Sequence, residues 1–312
     1  MPLQRIVTDF GADIPFGQVP EKLREHYGIE IATTVITRIA ERHARIFHQH
    51  PEWVVAKGET GQGQTVIAQM DGSMVPVVVS DPEQKDKRKG KTLQWNEVKL
   101  CLAHRHGSKR TCFDGSFSGG VEQAGKALYQ CAVAAGFNSE TPLHAVGDGA
   151  SWIMAQIEEQ FGANGHYLID FYHVCDYLAA AAPHCSTDAK IWMEEQKNEL
   201  KGNQYKRVLL NLMQHIEPPE IEDKNAPVRR AHRYLRNRTE QLDYQSAIAK
   251  GLPIGSGEIE SAHRYIIQQR LKRAGTWWTP DNIDGMFAMR LARANKRWND
   301  YWAVTMKNSI AA

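Results

Sequence analysis

The sequence predicts an α/β protein with a mixed five-stranded sheet covered by helices, an all-helical insertion and an N-terminal helical region. Apolar, β-branched runs alternate with helix-like segments in the middle of the chain, and one long charged stretch interrupts them. The stretch over residues 1–57 has no strand alternation. At 312 residues the chain is long enough for two or three domains.

The composition is that of a globular protein, with 42% hydrophobic and 24% charged residues. No apolar run approaches the ~18 residues that a membrane span requires, and MPLQRIVTDFGADIP has no apolar signal core. We therefore expect a cytoplasmic protein with no membrane partner. The 5 cysteines are scattered without a CxxC pair, which indicates reduced thiols rather than a disulfide framework.

Positive charge is concentrated at the C-terminal end. Residues 261–312 carry nine Lys or Arg against three Asp, whereas the first 260 residues are net acidic. This asymmetry favours a polyanionic partner for the C-terminal end.

Two helices are predicted near the N-terminus. PFGQVPEKLREHYG gives one that ends at Gly28, and IATTVITRIAERHARIFHQH gives a second. The pair fits a helix-turn-helix or an ordinary helical hairpin, and the residues do not separate these two interpretations. In the first, Thr34 and Arg38 open the recognition helix and meet DNA bases. We assign residues 1–57 to this DNA-binding region.

Strands follow a Gly-rich linker over residues 57–64. TVIAQMDG and SMVPVVVS are predicted as a hairpin, and WNEVKLCLAHRHG as a third strand after a lysine-rich loop. A helix that ends at Gly136 is predicted for VEQAGKALYQCAVAAG. A strand is then predicted for PLHAVGDGA and a helix for SWIMAQIEEQFG. The fifth strand is predicted for HYLIDFYHV, and it runs into another helix. This order of elements matches a ribonuclease-H-like core, whose first part we assign to residues 58–182.

The remaining chain divides in two. Residues 183–250 are charged and helix-forming, and they predict an all-helical insertion. Residues 251–312 return to the core as C-terminal helices with a basic face.

Two predicted strands end in Asp-Gly, at Asp71 in MDGS and at Asp148 in GDGA. Carboxylates at strand ends can converge outside a sheet, and hard oxygen ligands suit Mg²⁺ or Mn²⁺. Two such ions, roughly 4 Å apart, catalyse phosphoryl transfer. For either aspartate alone, an ordinary turn is the competing explanation. The third acid is Glu258 or Glu260, which lie about 200° apart on one helix, and the residues barely separate them.

The stretches MDGSMVPV, GDGASWI, DFYHVCDYL and GLPIGSGEIESAHRYI…RLKRAGTWW resemble the Kra group of bacterial insertion-sequence transposases, within the Mutator-like DDE set. The resemblance implies a ribonuclease-H-like core with a helical insertion. It also implies that Asp71 and Asp148 are catalytic metal ligands, and it favours Glu260 as the third.

DFYH resembles the D-x-x-H element of those enzymes. His173 would contact the scissile phosphate or order Asp148; alternatively it caps a helix. Zinc is a weaker alternative. Its candidate ligands are Cys175, His184 and Cys185, with His104 and His106 on a predicted strand, and their spacing matches no usual structural-zinc pattern.

A basic helix with aromatic residues follows the third acid. Charge of this kind neutralises phosphates, and flat rings can stack on unpaired bases; the competing explanation is core tryptophans and a solvated helix face. The candidates for nucleic-acid contact here are Arg264, Arg270, Lys272, Arg273, Trp277 and Trp278. Positive charge continues at Arg290, Arg293, Lys296 and Arg297, and in the loop over residues 85–91.

We therefore expect a DDE transposase that uses two Mg²⁺ or Mn²⁺ ions to cleave double-stranded DNA at element ends and transfer the strand to target DNA, acting as a homo-oligomer. Two alternatives stay open. A ribonuclease-H-fold nuclease would use the same acids and only hydrolyse, and a catalytically inactive derivative would only bind DNA.

Overall fold

The computed structural model describes residues 2–58, 64–81, 83–84, 86, 90–274 and 276–310, with the backbone alone at 308–310. The predicted linker over residues 57–64 and the basic loop over 85–91 lie largely outside the described residues. No helix of the described part is long and apolar enough to cross a membrane.

Five strands occur in the described residues: β1 (Val66–Ser80), β2 (Lys91–Arg105), β3 (Cys112–Ser116), β4 (Leu143–Gly147) and β5 (Gly165–Ile169). Helices precede, separate and follow them: α1 (Pro2–Asp13), α2 (Val19–Tyr27), α3 (Thr33–Gln49), α4 (Gly120–Ala134), α5 (Ser151–Phe161), α6 (Phe171–Cys185), α7 (Ala189–Lys201), α8 (Tyr205–Met213), α9 (Pro227–Arg236), α10 (Tyr244–Ala249), α11 (Gly257–Ala262), a π-helical segment (His263–Gln268), α12 (Gln269–Leu271), α13 (Pro280–Ala294) and α14 (Trp298–Ile310).

The predicted α/β class is confirmed, and from α4 onward the predicted order of helix, strand, helix, strand, helix is confirmed as well. The chain forms two compact units, unit 1 from Met1–Thr141 with Glu258–Ala312 and unit 2 from Pro142–Gly257. The predicted helix ends at Gly28 and Gly136 are confirmed, and both glycines have the positive φ that favours glycine after a helix.

Unit 1 is built on three antiparallel strands in the order β3-β2-β1. Its main core gathers apolar side chains from α3, β1, β2, the π-helical segment, α13 and α14, including the fully buried Phe47 and Trp302. A smaller cluster holds α1, α2 and α3 together through Val7, Leu23 and Ile36.

The hairpin predicted at Asp71 is wrong. Residues 66–80 form a single strand that pairs with β2 along its whole length, from Val66 opposite Arg105 to Ser80 opposite Lys91. Asp71 therefore lies inside a strand and not at its end. The sequence MDGS resembles a turn, but the apolar runs on both sides continue one paired strand.

Strand β3 and helix α1 were not predicted. CFDGS is short and contains glycine, which weakens the strand signal. It pairs with β2 from Lys99 opposite Ser116 to Ala103 opposite Cys112. The predicted number of three early strands therefore agrees with the structure only because two errors cancel: two predicted strands form one strand, and one strand was not predicted.

Unit 2 combines the parallel pair β4–β5 with helices α5 to α10. Its core is formed by apolar side chains that run from Leu168 on β5 to Ala247 on α10. Residues 183–250, predicted as helical, contain helices α7 to α10.

Asp114 on β3 yields a prediction about stability. Burial raises the pKa of its carboxyl to about 6, which outweighs the hydrogen bond that its Oδ1 accepts from the Gly115 amide at 2.8 Å. Because the folded-state pKa is above the unfolded value, this group lowers stability as pH rises from about 4 to 6. Asp114→Asn should abolish that decline, a difference of about 1–3 kcal/mol between pH 4 and pH 7. Denaturant unfolding of both proteins at the two pH values measures it; parallel pH dependences would contradict the assignment.

Candidate active site

Helix α11 lies along strand β1 on one face of the unit 1 sheet. The Ile259 amide donates to Gln69 Oε1 at 3.0 Å, and His263 Nε2 lies 3.4 Å from Asp71 Oδ2. Four helical residues rise about 6 Å and two strand residues about 6.6 Å. The two contacts therefore match in spacing, and the helix runs parallel to the strand.

Asp71 is held at one oxygen and partly exposed. Its Oδ1 accepts a hydrogen bond from the Gly72 amide at 2.7 Å, and its side chain is 38% exposed. Its Oδ2 faces the ring of His263, which is buried. That contact is within ion-pair distance but is not a hydrogen bond, and neither ring nitrogen of His263 has a hydrogen-bond partner in the described residues. An unsatisfied buried imidazole beside a carboxylate is unusual and indicates a site.

The π-helical segment begins at His263. Such segments are rare and are frequent at functional sites. Its shifted hydrogen bonding leaves carbonyl groups available, and Arg290 from α13 donates to the carbonyl oxygens of Ile266, at 3.2 Å, and Tyr265. The buried arginine thereby fixes the irregular turn that follows the candidate acid.

The two glutamates of α11 have different surroundings. Glu258 Oε2 lies 2.8 Å from Nε2 of the buried His104 on β2. Glu260 is exposed, and no partner for it occurs in the described part of the chain. Glu260 precedes His263 by three residues, a spacing that places side chains next to each other on a helix. Glu258 is therefore engaged in an ion pair, and Glu260 is the exposed acid that lies three residues before His263 on the helix.

In unit 2, Asp148 directly follows β4. Its Oδ1 accepts a hydrogen bond from the Ala150 amide at 2.9 Å, a local turn that leads into α5. The side chain is partly exposed.

Asp170 organises the segment that leads into α11. Its Oδ1 accepts from the amides of Tyr172, at 2.6 Å, and His173, at 3.1 Å, and so caps α6. Its Oδ2 accepts from the Ser256 amide at 2.7 Å and from the Ser256 hydroxyl. Gly255 leaves room for Tyr172, whose ring would lie 2.8 Å from an added Cβ. The GSG turn is thereby fixed to the start of α6.

His173 is not the residue that caps α6, since Asp170 accepts the hydrogen bonds. The His173 ring is half-buried and packs edge-on against Tyr177, at 5.5 Å between centroids, and near Tyr234 at 5.8 Å. Both tyrosines belong to unit 2, which also contains Asp148. The alternative in which His173 caps the helix is therefore wrong, and its contact with the phosphate or with Asp148 stays a prediction.

No group of three or more His, Cys, Asp or Glu side chains in the described part is arranged to hold a metal ion. The alternative with zinc at Cys175, His184 and Cys185 gains no support from these residues. The donors at the candidate site are carboxylates, which suit a hard cation better than zinc.

The candidate nucleic-acid residues divide by exposure. Thr34, Arg38, Arg264, Lys272 and Arg273 are exposed, and so is Trp277, at 64%, with the Lys91 ammonium 5.7 Å from its ring. Arg270 and Trp278 are buried, at 1% and 5% exposure, and this removes both from a surface that DNA could contact.

The burial of Arg270 has a clear structural reason. Its Nε donates to the Gly11 carbonyl at 2.9 Å, and its guanidinium lies between the rings of Phe16, at 4.8 Å, and Trp278, at 4.6 Å. Burial lowers the pKa of this guanidinium to about 10, so it stays charged at neutral pH. Arg293 is likewise engaged, with Asp9 and Asp13 at 2.5 Å each. Part of the C-terminal positive charge is therefore engaged in contacts within the protein and is not free to bind a partner.

The chain belongs to the uncharacterised protein family UPF0236, whose model matches residues 137–308, more than half of the chain. The matched range contains Asp148, His173 and Glu260, and Asp71 lies before it. No curated protein matches the chain.

Three further residues of this site differ in how far the sequence reveals them. His263 follows Glu260 at helical spacing, which is visible in the sequence. Gln69 precedes Asp71 by two residues, which places both on one face of a strand. His104 has no local signal, because its contact with Glu258 depends on strand pairing.

The His104–Glu258 pair predicts a pH-dependent stability. Burial lowers the pKa of His104, but the contact with Glu258 and the hydrogen bond to the Arg105 carbonyl together outweigh burial, so the pKa of His104 is raised. The same contact with His104 lowers the pKa of Glu258. The contribution of His104 is present below pH 6.5 and is lost as pH rises through its raised pKa. The contribution of Glu258 is lost in acid as pH falls through its lowered pKa. Because Glu258 is half-exposed, Glu258→Gln should cost about 0.5–1 kcal/mol near pH 6 and less at pH 9.

Thermal unfolding across this pH range measures the effect. Glu260→Gln is the matched control, since it removes a carboxylate from the same helix without a histidine partner. An equal pH dependence in both variants would show that the pair is not responsible.

The burial of Arg270 predicts a separation between stability and DNA binding. Arg270→Ala should destabilise the protein by about 2–4 kcal/mol, because it leaves a carbonyl and two aromatic faces without their partner. Lys272→Ala, at an exposed position two residues away, should leave stability nearly unchanged. Denaturant unfolding and fluorescence anisotropy with a labelled duplex provide the two measurements. A folded Arg270→Ala protein that binds DNA more weakly than Lys272→Ala would contradict this division.

Proposed function

We propose that this protein is a DDE-type DNA transposase with a ribonuclease-H-like core, of the Kra group that its motifs resemble. The observation that carries the proposal is the register between β1 and α11. This register holds the Asp71 carboxylate against His263 and orders the helix that bears Glu260 along the same strand.

Asp71, Asp148 and Glu260 would hold two Mg²⁺ or Mn²⁺ ions. The donor chemistry fits, because carboxylate oxygens are the preferred protein ligands of both ions. When bound, the ions would activate the attacking oxygen and stabilise the leaving oxygen of an in-line displacement.

The chain's own residues have separate tasks in this scheme. His263 lies beside Asp71 Oδ2 and would limit the orientations of that carboxylate. The exposed Arg264, Lys272 and Arg273 would neutralise phosphates of the bound strand. Water would attack the terminal phosphodiester of the element and release a 3′-hydroxyl. That hydroxyl would then attack a phosphodiester of target DNA by in-line displacement, with the 3′-oxygen of the target strand as the leaving group.

The partners in this proposal are duplex DNA, first as element ends and then as target, and a second copy of the chain, since two ends are joined. Thr34 and Arg38, exposed on the first turns of α3, are the proposed contacts to bases.

The test is Mn²⁺-dependent cleavage and joining of a labelled duplex that carries the sequences flanking the gene. Asp71→Asn, Asp148→Asn and Glu260→Gln should each reduce cleavage by about 10³-fold or more, because each removes a metal ligand from phosphoryl transfer. Glu258→Gln is the matched control and should retain cleavage, since its carboxylate pairs with His104.

Other outcomes discriminate between the alternatives. Cleavage without joined products would identify a nuclease. Tight binding of the duplex with no cleavage in Mg²⁺ or Mn²⁺ would identify a DNA-binding protein. Loss of cleavage in Glu258→Gln but not in Glu260→Gln would move the third ligand by two residues.

A further inference from the structure

The turn that carries Asp148 is enclosed by side chains from distant parts of unit 2. The Tyr234 hydroxyl donates to the Asp148 carbonyl at 2.6 Å, and Arg238 Nε donates to the Gly149 carbonyl at 2.9 Å. The Gly149 amide donates to the Tyr167 hydroxyl at 3.0 Å. Three side chains thus bind three consecutive polar groups of the backbone just after β4.

Gly149 allows this close approach. Its φ of +84° lies in the region that favours glycine. A Cβ at this position would lie 2.5 Å from Tyr234 Oη and 2.9 Å from Arg238 Nε. The turn therefore accommodates the two side chains only because residue 149 has none.

The Tyr234 ring is itself fixed on both faces. Tyr177 stacks on it at 4.2 Å between centroids and 15° between planes, and the Arg238 guanidinium lies 4.2 Å from the ring centroid. Arg238 Nη1 also donates to the Tyr234 carbonyl at 3.1 Å. Tyr234 is 7% exposed, so bulk water has little access to its hydroxyl and does not compete for the hydrogen bond.

The hydroxyl of Tyr234 remains a donor throughout the working pH range. Burial raises the pKa of Tyr234, and burial likewise raises that of Tyr167.

We propose that Tyr234 and Arg238 are positioning residues for Asp148, and that the helical segment after residue 183 contributes them for this purpose. By binding the carbonyls of Asp148 and Gly149, they fix the backbone from which the Asp148 carboxylate projects. Its Oδ1 is already bound to the Ala150 amide, so the direction of Oδ2 is determined. This inference rests on the proposed function, because that function identifies the ligand of Asp148 as a divalent cation. The enclosure of the turn is independent of the proposed function.

A positioning role affects metal affinity more than the maximal rate. When a carboxylate can rotate away, metal binding must first select the correct orientation. Loss of such outer contacts typically costs 10–100-fold in metal affinity. Enough metal should restore most of the activity, since the carboxylate itself is still present.

The test compares Tyr234→Phe and Arg238→Lys with two matched controls. Tyr244→Phe makes the same chemical change in unit 2, at a buried hydroxyl that has no hydrogen-bond partner among the described residues. Arg236→Lys makes the second change at an exposed arginine at the end of α9. Thermal unfolding identifies any variant that fails to fold. If one of the two test variants fails to fold, the other is sufficient for the test.

Three measurements are made on the full chain: hydrogen exchange of the backbone amides over residues 147–150, Mn²⁺ affinity by electron paramagnetic resonance, and cleavage as a function of Mn²⁺ concentration. The test variants should exchange at least tenfold faster over this segment and bind Mn²⁺ about tenfold more weakly. Half-maximal cleavage should shift to about tenfold higher Mn²⁺, with the rate at saturation within about threefold of wild type. The controls should match wild type in all three.

Unchanged exchange and unchanged Mn²⁺ affinity in a folded Tyr234→Phe protein would overturn the proposal. A loss of saturated rate with unchanged affinity would also overturn it, since this would indicate direct participation in the reaction. Wild-type protein that binds no Mn²⁺, together with faster exchange in the test variants, would overturn the proposed function while supporting the enclosure of the turn.

Discussion

The parallel alignment of helix α11 with strand β1 is the constraint on which the candidate site in unit 1 depends. The strand offers Gln69 and Asp71 two residues apart on one face, and the helix meets them with the Ile259 amide and the His263 ring. His104, opposite Ile67 on the neighbouring strand, adds the ion pair with Glu258. These contacts tolerate no shift of the helix by one residue, because a shift of 100° would turn each side chain away from its partner.

This alignment explains how acid and base are arranged at the start of the C-terminal region. Glu258 and Glu260 occupy the first turn of α11, where the helix dipole stabilises carboxylates. The cationic residues that follow are not equivalent. Arg270 and Arg290 are buried and bind backbone carbonyls, whereas Arg264, Lys272 and Arg273 remain exposed. The buried arginines support the path of the helices, and the exposed cations are the ones that the proposed function assigns to phosphate neutralisation.

Local signals were sufficient for much of the fold. Gly28 and Gly136 end helices as predicted, and the apolar run before Asp148 forms the short strand β4. The hairpin at Asp71 was wrong because Asp-Gly in a strand and Asp-Gly in a turn look alike in sequence. Pairing with β2 over 15 residues, a non-local interaction, decides between them. The short strand β3 depends on β2 in the same way.

The sequence names the candidate acids but not the groups that surround them. Glu260 and His263 are related by helical spacing, which a sequence displays. Tyr234 and Arg238 lie 86 and 89 residues from the groups they bind, and Arg270 lies 259 residues from the carbonyl it binds. No local pattern encodes contacts at such separations. Side chains that satisfy backbone groups of a distant turn become visible only with the fold.

The continuity of β1 determines which changes in chain length are compatible with this site. Adjacent strand residues point to opposite faces, so one residue inserted or deleted between Gln69 and Asp71 would send one of them to the face away from α11. The same change beyond Ser80, after the paired strand ends, would leave both residues on their face. A change in chain length is therefore compatible with this site beyond Ser80 but not between Gln69 and Asp71.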